Sequence, residues 1–107
     1  MPKYDAEDFD AEELAEDLAD RGFKHLRVRR RGPLLTIESG DKRDPTAHAR
    51  LRRETVHLWR LEMPTSSGWE PTPFRELMER HLERLTTELA WALAPRDIPI
   101  RTSGRQY

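Results

Sequence analysis

Arg27 and Arg29, and again Arg50 and Arg52, stand two residues apart in runs whose alternate positions are filled by Leu, Val or Ala. At that spacing the side chains of a strand leave on the same side. Each pair would therefore present two planar guanidinium groups together, a form that matches the oxygens of carboxylates and phosphates. His25 and His48 fall in the same runs and His57 and Trp59 in the next one, 56–63, and aromatic rings set among arginines can stack on nucleic-acid bases. The candidate binding set is thus His25, Arg27, Arg29, His48, Arg50, Arg52, His57 and Trp59, and its chemistry is anion recognition. An acidic protein surface is the first choice of partner and nucleic acid the second. The ordinary explanation of such a face is that arginines on an exposed sheet discourage edge pairing and aggregation.

Other chemistries find less support. The chain has no Cys, which excludes disulfides, thiol nucleophiles and thiolate zinc sites. A metal would need His48, His57 and Glu38 to converge across neighbouring strands, and no HxH or HExxH spacing arranges this. His25 and His81 have no partner evident in sequence. Glu38, Asp41 and Asp44 could be read as a metal-dependent hydrolase or nuclease cluster, the third reading. The usual Glu-x-Lys partner is missing, since Met63 and Pro64 follow Glu62, and acids after a strand commonly serve turn chemistry. Ser39, Ser66, Ser67 and Ser103 lie in no nucleophile elbow, and there is no Gly-rich phosphate loop. No catalytic residue, metal or cofactor is expected.

The arginines need a scaffold, and 107 residues supply one domain with one core. Hydrophobic and charged residues each make up 36% of the chain, and no apolar run approaches the roughly 20 residues that cross a bilayer. No membrane association is expected. The first 20 residues are acidic where an export signal is basic and then apolar, so the cytoplasm is the expected compartment. A net charge of −1 conceals a segregation: residues 1–20 sum to −8, 21–60 to +8 and 61–107 to −1. Such asymmetry concerns partners and long-range fields rather than fold.

In chain order, residues 1–9 read as a loose start. Asp10 is the expected N-cap of a helix running to about Arg21, with Glu13 completing a capping box and Phe9 stapled to Leu14. Ala11, Leu14, Ala15 and Leu18 form its narrow apolar stripe, and Gly22 supplies the exit, with Phe23 folding back. His25–Arg29 and Leu34–Glu38 alternate as a hairpin around Arg31-Gly32-Pro33. Residues 39–46 form a polar loop. His48–Arg53 and Val56–Met63 make a second pair whose register is open. A two-residue turn leaves Trp59 on the basic side; a three-residue turn sets Ala49 and Leu51 beside Trp59 and Leu61 and buries the Trp. The second gives the cleaner alternation, and under either register His48, Arg50 and Arg52 stay opposite the core.

Residues 64–72 read as a linker carrying Trp69. Thr72 as N-cap and Pro73 at the first helical position predict a long helix to about Leu93, with Phe74, Leu77, Met78, Leu85, Leu89 and Ala92 on one stripe. Pro95 ends the domain (1–95), and 96–107 reads as a tail, with Ile98 and Ile100 tacked down. Trp59, Trp69 and Trp91 are most simply packing in so small a domain; Trp69 and Trp91 exposed beside the stripe of the long helix would instead imply a partner or homodimer surface. The expected architecture is an α+β two-layer sandwich of order α-β-β-β-β-α: a four-stranded antiparallel meander with both helices on one face.

The succession of a strand ending in Glu38, a polar loop, His48–Arg53, the strand with His57-Leu58-Trp59, and Gly68-Trp69 before a helix resembles a family of small bacterial domains of uncharacterised function. The likeness spans residues 33–85. It implies a bacterial source and a similar meander, and carries over no active residues. Together these features predict a small non-enzymatic interaction domain whose basic sheet face binds an anionic partner, its own acidic helix in a neighbouring subunit included. In the nucleic-acid alternative that helix would compete with phosphate for the face.

Overall fold

In the computed structural model, which describes residues 4–95, the elements are α1 (Asp8–Asp20), β1 (Arg27–Arg31), β2 (Leu34–Ser39), β3 (Thr46–Arg53), β4 (Leu58–Thr65), β5 (Gly68–Leu77), α2 (Met78–Thr86) and α3 (Ala90–Leu93). The sheet is a meander in the order β1-β2-β3-β4-β5, antiparallel throughout. The α+β sandwich with helices on one face is therefore present, with a fifth strand. Among the described residues no helix is long and apolar enough to cross a membrane. The tail at 96–107, with Ile98 and Ile100, lies outside the described residues, as do residues 1–3 of the expected loose start.

α1 begins one turn earlier than its sequence suggests. Glu7 is the N-cap and Asp10 the third helical residue, each carboxylate accepting from the other's backbone N–H, with Asp10 to Glu7 at 2.8 Å. The chain offers two acid-x-x-acid boxes in tandem, and tertiary pinning selects the first. Ala6 is 2% exposed and donates its N–H to Gly32 O at 2.8 Å, so residues just before α1 are docked rather than loose. At the other end Gly22 takes φ +99°, a left-handed conformation that costs glycine little. Phe23 N–H then reaches back to Leu18 O at 2.9 Å and its ring joins the core.

Arg31 pairs with Leu34, so the first hairpin turns on Gly32-Pro33 alone. In the second, Leu51 pairs with Leu61 and Arg53 with Trp59, leaving five residues between the last pair. That odd number preserves the parity of the three-residue register while sliding it by two. Trp59 is consequently buried, 4% exposed, on the core side.

The linker and first helical turn expected over 64–77 are instead the hairpin into β5. Gly68-Trp69-Glu70 pairs with Met63-Pro64-Thr65, and Arg75-Glu76-Leu77 with Leu58-Trp59-Arg60. Between them the register shifts at Arg60/Glu62. Pro71 and Pro73 lack the N–H a ladder needs, a defect tolerated at edges and bulges, and β5 is an edge strand. Thr72, expected as a helix cap, serves the sheet: its hydroxyl donates to Leu61 O at 2.8 Å. α2 starts only at Met78, and the long helix breaks after Thr86. The Thr86 and Thr87 hydroxyls bond back to Leu82 O and Glu83 O at 2.8 and 2.7 Å, a competition with the backbone ladder that weakens helices.

The core lies between one sheet face and the three helices. Leu14 and Leu18 of α1, Leu35, Ile37, Leu51 and Leu61 of the sheet, and Leu85 and Leu93 beyond it are at most 2% exposed. Each such side chain contributes roughly 1.5–3 kcal/mol by leaving water.

Candidate binding face

Opposite the core, alternation delivers Arg27, Arg29 and Arg31 on β1, Arg50 and Arg52 on β3, Arg60 on β4 and Arg75 on β5 to the open face, with Thr36 and Glu38 between them. Three glutamates organise these arginines. Glu38 lies 3.3 Å from Arg29 Nε and 3.6 Å from Arg27 Nε. Glu62 accepts from Arg50 at 2.6 Å and from Arg52 at 2.9 Å. Glu54, in the β3–β4 turn, accepts from Arg60 at 2.9 Å and Arg75 at 2.6 Å. Each carboxylate thus lies between two guanidinium groups and can neutralise only one. Arg31 makes no ion pair within 4 Å among the described residues. Seven arginines against three glutamates leave four positive charges in surplus.

Burial shows which charge faces outward. The Glu38 and Glu62 side chains are only 6% and 7% exposed, whereas Arg29 and Arg52 are 52% and 39% exposed. Arg29 and Arg52 keep much of their side chains in water, whereas the Arg50 side chain is only 15% exposed and Arg27 Nη2 is buried with no hydrogen-bond partner among the described residues. Arg50 also lies over Trp69, its Cζ 4.4 Å from the ring centroid. At Glu54 burial pushes the carboxyl pKa up, but hydrogen bonds and charge from Arg60 and Arg75 outweigh it and hold the group below its ordinary value.

Of the expected set, Arg27, Arg29, Arg50 and Arg52 share this face and the other four do not. Trp59 is in the core. His57 lies before β4, exposed in the turn. His25 precedes β1, and its Nε2 donates to Leu93 O at 2.7 Å. His48 is a correction to the alternation itself. Ile37 pairs with Ala49 and Glu38 with Ala47, so His48 is the extra residue of a bulge. It is fully buried; Nδ1 donates to Ala92 O at 2.8 Å, and Nε2 lies 2.7 Å from the Ser39 hydroxyl. The two histidines therefore grip consecutive carbonyls at the end of α3.

Sequence reasoning passed over Glu54, Glu62, Arg60, Arg75 and Trp69 as site residues. Parity alone would have placed Arg60 and Glu62 with Arg50 and Arg52. Arg75 and Trp69 were inaccessible without β5. The acidic helix is not where a competitor would lie. α1 packs its Ala11, Leu14 and Leu18 into the core on the other side of the sheet. Among the described residues its ion pairs are Asp8 with Arg30 at 2.7 Å and Asp10 with Arg53 at 3.8 Å. Glu38 is held by two arginines, and no three His, Cys, Asp or Glu gather as a metal site among the described residues.

No family model, curated protein or solved structure matches this chain.

Proposed function

We propose that this is a small cytosolic, non-enzymatic interaction domain whose arginine-covered sheet face binds an acidic protein surface. The observation that carries this reading is the repeated placement of one covered glutamate between two arginines. The glutamates hold the guanidinium groups in place, so less side-chain entropy is lost when a partner docks. They also leave the outward charge positive. The exposed heads, Arg29 and Arg52 among them, suit carboxylates on another protein, including those along α1 of a second copy, whose Glu12, Glu13 and Glu16 are exposed.

Nucleic acid is less well served, because stacking on bases needs free rings. Trp59 is buried and Trp69 is already covered by Arg50. The test is fluorescence anisotropy with a labelled Glu/Asp-rich helical peptide and with labelled single- and double-stranded DNA, at two salt concentrations. Arg31→Glu removes a surplus charge without breaking an ion pair among the described residues. The acidic peptide should bind, weaken with salt, and bind Arg31→Glu at least several-fold less. Tighter binding of DNA than of peptide would move the reading to phosphate, and no binding to either would end it. Sedimentation at micromolar protein examines the second-copy version, which a salt-insensitive monomer would remove.

A further inference from the structure

The helix side of the molecule carries a second surface of opposite charge. Phe9, Val56 and Leu77 are 62%, 50% and 47% exposed, and with Trp91 they are the large hydrophobic side chains left exposed among the described residues. The three come from distant parts of the chain and line one groove of about 520 Å³, where α1, the β3–β4 turn and the start of α2 meet. Trp59 and Leu82 reach it from the core. Clustered exposed apolar side chains of this kind mark interaction sites more than scattered ones do.

The groove's polar boundary is acidic. Glu13, Asp17 and Glu79 line it and form no ion pair within 4 Å among the described residues. Its one arginine is already engaged: Arg53 donates to Asp5 O and Val56 O, at 2.8 Å each, and lies over the Trp59 ring. Apolar anchors within an acidic rim suit a segment with complementary features, an apolar stripe flanked by Lys or Arg.

We infer that this groove docks a basic amphipathic segment of a partner protein, independently of the arginine face on the other side of the sheet. Acidic ligands would take the sheet face and basic ones the groove, so the domain would join partners of opposite charge.

The probe is a labelled amphipathic Leu/Lys helical peptide, with a scrambled peptide of the same composition and a Leu/Glu counterpart as controls, measured by anisotropy on the full chain. The Leu/Lys peptide should bind at least tenfold tighter than either control. Glu13→Lys with Glu79→Lys should weaken it at least tenfold, as should Phe9→Ser or Leu77→Ser; all four positions are exposed, and circular dichroism confirms folding. Asp20→Lys with Glu83→Lys, equally acidic and exposed but outside the groove, should change binding less than threefold. Equal binding of the scrambled peptide, or an equal loss in the Asp20/Glu83 variant, would reduce the effect to general charge attraction and overturn the proposal. Tighter binding of a synthetic 96–107 peptide, which carries Arg96, Arg101 and Arg105 with Ile98 and Ile100, would assign the groove to the chain itself. Dimerisation abolished by Phe9→Ser would assign it to a second copy; either result overturns the partner assignment.

Discussion

Arg50 and Glu62 face each other directly across β3 and β4, with 2.6 Å between guanidinium and carboxylate. Only 15% of the arginine side chain and 7% of the glutamate side chain are exposed. Largely desolvated ion pairs are costly to break from one side, because the remaining charge keeps its burial and loses its partner.

Glu62→Gln is therefore expected to destabilise the domain by about 1–3 kcal/mol, leaving Arg50 and Arg52 facing each other without a counter-charge. Urea unfolding at pH 7 measures it. A change within error would mean that water already compensates these arginines. Glu54→Gln, at a more exposed clamp, should cost less.

His48→Leu removes the donor to Ala92 O and the partner of the Ser39 hydroxyl. Two buried polar groups lose a partner, each at about 1–3 kcal/mol. Because His48 anchors α3 to β3, amide exchange at Ala90–Leu93 should accelerate more than exchange in β2 or β4. Uniform acceleration across the domain would show that the anchor is not local.

His81 gives stability a dependence on pH. Burial lowers its pKa below the ordinary 6.5, against the raising effects of its bond to Trp59 O and of the Glu76 charge and with the lowering effect of Arg84. Below about pH 6.5 the unfolded chain takes up a proton that the folded chain resists, so stability falls as pH drops through that window. His81→Gln keeps a donor for Trp59 O and removes the titration. Its stability between pH 7.5 and 5.5 should vary less than that of the parent in denaturant titrations. Parallel slopes in the two proteins would locate the dependence elsewhere.

Thr72→Val deletes the hydroxyl that donates to Leu61 O where β5 departs from regular pairing. A loss of about 1 kcal/mol is expected, with faster exchange in β5. A stabilised variant with increased helicity would instead indicate that residues 72–77 favour the helix once the bulge is weakened.

Periodicity of two made Arg27, Arg29, Arg50 and Arg52 legible as a shared face, because strand side chains alternate whatever the partner strand. Gly22 and Gly32-Pro33 likewise announced their turns, since these depend on local backbone freedom. The same local logic misled at Thr72-Pro73. A good helix start was outweighed by pairing with β4, whose value depends on a strand brought alongside only by folding.

His48 marks the limit most clearly. Alternation puts it beside Arg50, yet one extra residue against β2 turns it inward to the Ala92 carbonyl, contributed 44 residues later. The sequence by itself determined charge segregation, α+β class and the spacing of the arginines. Only the tertiary structure decided which glutamates lie between them, where the acidic helix lies and which aromatic rings remain free. Those outcomes turn on register, bulges and side chains from distant strands, none of which has a local signature.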